Sequence, residues 1–201
     1  DDALASQDAA AFTALVERRR RGEPVAYLTG TREFFGLSLA VSPAVLIPRP
    51  ETETLVEVAL ARLPRNGSPR VLDLGTGSGA IALAIAHARP EARVYACDAC
   101  AEAIRIAHAN AQRLGLANLR FFASDWYAGV PELPFDVIVL TDCPNPVRTE
   151  GLLEQARRTG ALVVNVDHHH DNRRYGDVNW IEPAAAATGE MVYELLVALG
   201  A

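Results

Sequence analysis

The chain has 201 residues, half of them hydrophobic, with a net charge of −6 and three cysteines. That length suits one domain, or one domain with a small appendage, and the apolar share can build a core without disulfides. The acidic balance argues against broad nucleic-acid binding, no stretch approaches the ~20 apolar residues of a membrane span, and the start, Asp1-Asp2-Ala3, lacks the basic and apolar regions of a signal peptide. The cytoplasm is therefore the expected compartment.

Residues 3 to 21 carry alanine, leucine and phenylalanine at helical spacing and stop at Gly22. The run Arg18 to Arg21 reads as a solvated helix end near the negative pole of the helix dipole. Pro24 to Leu46 is mixed, with Phe34 to Val41 suggesting a short hairpin. Pro48 and Pro50 bracket Arg49, and Glu51 to Leu63 resumes a helix. Residues 64 to 69, Pro-Arg-Asn-Gly-Ser-Pro, form the clearest linker.

From Arg70 onward apolar strands alternate with helices. Strands are predicted over Val71 to Leu74, Val94 to Cys97, Leu119 to Ala123, Val137 to Leu140 and Leu162 to Val166. Helices are predicted over Gly79 to Ala88, Ala101 to Leu114, Glu150 to Thr159 and Ala184 to Leu199. This alternation implies right-handed crossovers and an α/β fold: a doubly wound parallel sheet, Rossmann-like, with a small helix and hairpin appendage at the amino end. The expected division is 1–63 for the appendage, 64–140 for a ligand-binding half, and 141–201 for a second half completing the same sheet. In such sheets ligands bind at the carboxyl edges of the strands.

Val71-Leu72-Asp73-Leu74-Gly75-Thr76-Gly77-Ser78-Gly79 is an apolar strand, a glycine-rich turn and a helix start. Gly75 and Gly77 can let a ligand approach the main chain, and Gly79 permits close helix-to-strand packing. Dinucleotide sites look similar, and a tight structural turn is the bland alternative. Asp98 closes the second strand about twenty residues on, where a carboxylate can accept both ribose hydroxyls; it also suits the cap of the next helix. Trp126, just past the third strand, can pack on an adenine or simply join the core. Cys97 and Cys100 form a Cys-x-x-Cys at a strand end instead of a helix start, which disfavours a redox or zinc role. The odd cysteine count fits reduced thiols.

Arg18-Arg19, Gly22-Glu23-Pro24-Val25-Ala26-Tyr27-Leu28-Thr29-Gly30, Phe34, and Val45-Leu46-Ile47-Pro48-Arg49-Pro50-Glu51-Thr52-Glu53 together resemble the HemK/PrmC family. Its members are methyltransferases that modify the glutamine of class-1 peptide-release factors. The resemblance covers residues from about 4 to 140. It implies S-adenosylmethionine at Gly75, Thr76, Gly77, Ser78, Gly79, Asp98 and Trp126, and a release factor as partner. The amino end looks shorter than the family's helical recognition domain. The family's reaction uses Asn-Pro-Pro-Tyr after the fourth strand, where the asparagine side chain and a proline carbonyl orient the glutamine NH2. Thr141, Asp142, Cys143 and Pro144 occupy those substrate-binding positions, so cofactor binding is expected to survive better than glutamine methylation.

A second set begins near Val137. Thr141-Asp142-Cys143-Pro144, Val164-Asn165-Val166-Asp167-His168-His169, Asn172, Gly176-Asp177-Val178-Asn179-Trp180 and Ala187-Thr188-Gly189-Glu190-Met191 resemble the DHH phosphoesterase family, particularly its oligoribonuclease-type members. That resemblance implies manganese bridged by Asp142 and bound by His168, with His169 near a phosphate and Asp167 orienting a histidine. A short oligonucleotide is a partner under this reading alone. The family's early His-x-x-x-Asp-x-Asp, a later aspartate and its carboxyl-terminal domain are not found, so an incomplete metal site is expected. The alternative is that His168, His169 and His170 are polar strand-end residues. The two resemblances meeting near residue 140 suggest a chimera-like chain, folded but with transfer impaired or without activity. Oligomeric state is not legible.

Overall fold

The computed structural model describes residues 6–125, 137–141, 143–149, 151–185 and 191. Helix α1 (Ser6–Arg20) ends where Gly22 was expected to stop it. The arginine run is solvated as expected, with Arg19, Arg20 and Arg21 exposed, while the half-buried Arg18 meets both carboxylate oxygens of Glu23. The mixed stretch that follows contains a one-turn helix the pattern did not predict, α2 (Val25–Thr29). Five residues offer too short a window for a helical period to register.

The hairpin sits slightly earlier than expected, as β1 (Thr31–Phe34) and β2 (Leu37–Ala40). Its turn places Phe35 at φ 52° and Gly36 at φ 73°. A two-residue hairpin turn with both angles positive suits Asn-Gly better than Phe-Gly. Two carboxylates hold the turn's amides: Phe35 N–H donates to Glu53 Oε1 at 3.0 Å and Gly36 N–H to Glu33 Oε1 at 2.7 Å. Glu53 opens α3 (Glu53–Arg62), so the proline-flanked stretch before it delivers a carboxylate to the hairpin.

The parallel ladder β3 (Arg70–Leu74), β4 (Arg93–Asp98) and β5 (Leu119–Ala123) pairs in sequence order, Leu74 beside Cys97 and Asp98 beside Ala123. Its crossovers are α4 (Ala80–Ala88) and α5 (Ala101–Arg113). Helix α4 is apolar almost all round, and Ala82, Leu83, Ala84, Ile85 and Ala86 are all buried. A helix of that kind belongs inside a protein. It joins the main core with Phe34, Leu39, Val56 and Val94, so the hairpin and α3 close over the sheet. Each fully buried leucine, isoleucine or phenylalanine there contributes about 1.5–3 kcal/mol. Helix α5 buries Ala103, Ala107, Asn110 and Ala111, at i, i+4, i+7 and i+8, a single stripe. The Asn118 amide reaches the carbonyls of Ala86, Arg89 and Ala92 at 3.1–3.2 Å and closes the end of α4.

A second parallel ladder comprises β6 (Val137–Thr141), β7 (Leu162–Asp167) and β8 (Val178–Ile181). Five parallel strands were expected; β8 is a sixth. Between β6 and β7 run a 3-10 turn (Pro146–Thr149) and α6 (Leu152–Thr159), which starts later than expected. Among the described residues no ladder joins the two sheets, but Leu72 and Leu74 of β3 share an apolar cluster with Ile138 and Leu140 of β6 and Leu152 of α6. The predicted closing helix over 184–199 falls almost wholly outside the described residues. Among the described residues no helix is long and apolar enough to cross a membrane.

Gly79 carries φ +85°, and an added Cβ would stand 2.9 Å from Leu83 Cδ1 and 3.1 Å from Ala107 Cβ. Gly79→Ala is expected to lower stability by about 2–4 kcal/mol, the left-handed strain plus overpacking. Gly75→Ala, at φ +74° with nothing within 4 Å, is expected to lose only the strain. Urea midpoints of the two variants check this, and equal losses would refute the packing component.

Candidate functional site

The glycine turn leaves β3 at the carboxyl edge of its ladder and is fastened to the end of β4. Gly75 N–H and Thr76 N–H both donate to the Cys97 carbonyl at 2.9 Å. Gly77 N–H donates to Asp98 Oδ2, also at 2.9 Å. The other Asp98 oxygen accepts the Cys100 N–H at 2.9 Å, just before α5 begins. Asp98 is not itself the cap of α5, a position Cys100 takes; it turns the chain just before that helix while it faces the glycine turn. Its backbone carbonyl receives Ser124 N–H at 3.0 Å, which brings the end of β5 alongside.

Inside the turn, Gly79 N–H donates to the Thr76 carbonyl at 2.8 Å, and the Thr76 hydroxyl donates to Asp73 Oδ2 at 2.7 Å. Desolvation pushes the Asp73 carboxyl above its ordinary range, opposed by the Thr76 hydroxyl and the Ala82 amide, and Asp98 nearby adds to the rise. Asp73 was not singled out from sequence, although it lies within the quoted motif. Thr76 and Ser78 are buried, whereas Gly75 is exposed. Among the described residues nothing lies within 4 Å of a Cβ built on Gly75 or Gly77. Among the described residues, the Cβ positions of Gly75 and Gly77 thus face open space, with the Asp98 carboxylate bonded to the same turn.

Trp126 lies outside the described residues. Cys97 is buried and its thiol is pushed up to about 11, by burial first. No cysteine is in a disulfide, and Cys100 is exposed. A thiol held protonated is a poor nucleophile and a poor ligand, which agrees with the disfavoured redox reading.

At the end of β6, Thr141 is described and Asp142 is not. The next two carbonyls are already engaged. Cys143 O accepts the Tyr175 hydroxyl at 2.7 Å and lies 3.5 Å from Asn172 Nδ2, and Pro144 O accepts Arg173 N–H at 3.0 Å. Tyr175, which the sequence reading passed over, thus brings an aromatic ring to this loop from over thirty residues away. Its phenol is pushed up by burial and by Cys143 beside it, so it stays a donor.

At the end of β7 the Asp167 carboxylate is fully buried. Its Oδ1 meets His169 Nδ1 at 2.7 Å and accepts His168 N–H at 2.9 Å; its Oδ2 accepts the Asn172 amide at 2.6 Å. Burial alone would raise the Asp167 pKa, but the Asn172 amide and the His169 ring outweigh it and hold the carboxyl below its ordinary range. His168 and His169 stack at a tilt, centroids 4.8 Å apart. Among the described residues no group of three or more His, Cys, Asp or Glu could hold a metal ion. Of the pair expected for manganese, Asp142 and His168, Asp142 lies outside the described residues.

The profile of the methyltransferase small domain matches residues 52–162, and that of the PrmC N-terminal domain matches residues 1–30. A release factor glutamine methyltransferase of Salmonella typhimurium is 46% identical over 169 residues, covering 80% of this chain and 61% of that protein. Its counterpart in Escherichia coli is 51% identical over 136 residues, covering 68% of this chain and 49% of that protein. The chain thus spans about half to three-fifths of the length of these curated relatives. Among solved structures, a Pyrococcus abyssi tRNA (uracil-54, C5)-methyltransferase in complex with S-adenosyl-L-homocysteine aligns with TM-score 0.53 at 18% identity, over 71% of this chain and 35% of that one. Trm5b of Pyrococcus abyssi aligns with TM-score 0.52 at 19% identity, over 85% and 47%. Both show the fold alone. The methyltransferase match runs to residue 162, past the boundary near 140 that the motifs suggested, and the comparisons give no support to the phosphoesterase resemblance, its manganese or a chimera. With more than half its length under one profile, and a Rossmann-like parallel sheet to match, the chain belongs to the methyltransferase small domain family.

Proposed function

We propose that the chain binds S-adenosylmethionine in the crevice over Gly75 to Gly79 and is related in substrate to the release-factor glutamine methyltransferases, with transfer to glutamine impaired. The observation that carries the reading is the open main chain at Gly75 and Gly77 facing the Asp98 carboxylate. Each Asp98 oxygen accepts one backbone N–H and keeps a further lone pair for a ribose hydroxyl. Thr76 and Ser78 fix the turn, and Trp126 supplies the adenine wall. When bound, the cofactor offers an electrophilic sulfonium methyl. The chain's own part is to aim that methyl past Asp98 towards the end of β6. Residues 1–63 then serve recognition, 64–140 hold the cofactor, and 141–201 complete the sheet.

Impairment follows from the loop after β6. An amide nitrogen is a poor nucleophile and needs its hydrogens gripped in a fixed orientation. Thr141 has a single hydroxyl where the family has an amide, and the carbonyls of Cys143 and Pro144 already accept donors from residues 172–175. The release factor as partner rests on the relatives' names.

Calorimetric titration with S-adenosylhomocysteine tests the cofactor reading. The expected dissociation constant is on the order of micromolar, about −8 kcal/mol. Asp98→Ala is expected to weaken binding at least about hundredfold, the loss of two hydrogen bonds to a charged group. An unchanged affinity in a variant with native circular dichroism would place the ribose elsewhere.

One observation favours a second reading of residues 137–201, as a phosphoesterase-like segment: a buried carboxylate holding an imidazole through Nδ1 is how metal-bound histidines are oriented. The described residues do not supply a full ligand set, and no chemical step is derived through a metal. Manganese is expected to give no heat with the chain as it stands. Binding near micromolar, with phosphate released from a short oligonucleotide, would favour this second reading instead.

A further inference from the structure

Asn110 lies on α5, 1% exposed, at a position where its helix otherwise buries only alanine. Its amide uses every valence it has. Oδ1 accepts Ala40 N–H at 2.8 Å and Arg113 Nη2 at 3.1 Å. Nδ2 donates to Ala40 O at 3.1 Å and to Ser78 O at 2.9 Å. The orientation is not ambiguous, because Ala40 N–H can only donate and so must face the oxygen. Towards the hairpin the side chain behaves as one peptide unit of a third strand, pairing with both backbone groups of Ala40 on the open edge of β2. Towards the sheet its remaining hydrogen holds the Ser78 carbonyl, in the middle of the glycine turn.

We infer that Asn110 is a positioning residue that couples the amino-terminal hairpin to the cofactor turn, so that filling the crevice is felt at β2, whose Ala40 lies 70 positions from Asn110. This rests on the cofactor reading above. The physical reason is exchange of restraint. A buried amide with two donors and two acceptors satisfied has one low-energy placement, and shifting either end leaves a buried polar group unpaired. Ser78 sits between Gly77 and Gly79, so a ligand that fixes those two peptides also fixes the carbonyl Asn110 holds. An ordered Asn110 then tightens Ala40. Coupling of this kind needs no displacement; it needs only that one ligand removes motion the other end would share. Alanine, the residue at the neighbouring stripe positions of α5, would make none of these bonds.

The test is hydrogen exchange on the full chain with and without saturating S-adenosylhomocysteine. In the wild type, exchange is expected to slow by roughly tenfold, the scale of one net hydrogen bond, both in peptides covering 75–79 and in peptides covering 31–40. In Asn110→Ala, ligand at saturation is expected to protect 75–79 and leave 31–40 unchanged, with affinity lowered about tenfold. Asn110→Asp keeps the acceptor for Ala40 N–H but loses the donors to Ala40 O and Ser78 O, so it is expected to keep only part of the hairpin protection without ligand and to lose the ligand's effect on it. Protection of 75–79 in the wild type with none at 31–40 overturns the coupling, and that measurement needs no variant to fold. Coupling that persists in Asn110→Ala removes Asn110 as its route. No heat with S-adenosylhomocysteine overturns the cofactor reading itself, and this proposal with it.

Discussion

Three successive amides, Gly75, Thr76 and Gly77, turn onto the end of one strand, two of them onto the Cys97 carbonyl and the third onto the Asp98 carboxylate. Everything at the carboxyl edge follows from that fastening. Because those N–H groups are spent on β4, they are not the anion-binding row that a phosphate loop offers a ligand. What the turn presents instead is bare main chain at Gly75 and Gly77 and the unspent lone pairs of Asp98. A neutral sugar with paired hydroxyls suits that surface better than a phosphate does. The fastening also explains the tight fit at Gly79: the chain must enter α4 against Leu83 and Ala107, where no side chain has space.

Much of this first half is legible in the amino-acid sequence, for physical reasons. The strands from Arg70 to Ala123 are short apolar runs between polar turns, α4 is apolar almost all round and α5 keeps a clean stripe, so period and punctuation agree. The glycine turn and Asp98 fall where spacing put them. What the sequence hides is what long-range bonding decides. Asn110 reads as one more polar residue on an amphipathic helix, since Ala40 and Ser78 are remote in sequence. The hairpin turn at Phe35 carries no turn signal of its own, because the carboxylates of Glu33 and Glu53 supply what asparagine would have. Strand β8 alternates too little in four residues to announce itself, and its pairing with β7 is what defines it.

In the second half the sequence pattern locates β6, α6 and β7 and misses β8, while its motifs point too boldly to a second ancestry. Motif matching set a boundary near residue 140, whereas the methyltransferase profile continues through α6 to residue 162. Local composition cannot separate two parallel α/β families at this point, because an apolar central strand followed by a polar loop and a helix is common to both. Asp167, His169 and Asn172 do form the compact network that their spacing suggested. Yet a network satisfies its own members equally well whether or not it serves a ligand, and among the described residues this one lacks the further acids a metal needs.

The loop after β6 links these two halves and sets the limit on chemistry. Cys143 O and Pro144 O are acceptors that could hold an incoming amide, but Tyr175, Asn172 and Arg173 reach them first. At Cys143 O a substrate NH2 would compete with the half-buried Tyr175 phenol, whereas Pro144 O, with one donor, keeps a second lone pair. The same donors hold the loop still beside β7. The proposed impairment concerns contacts among residues 143–175, whereas the Asp98 crevice is fastened by β3, β4 and Ser124 after β5. The proposed transfer and cofactor sites therefore draw on different strands, so that one can change without the other.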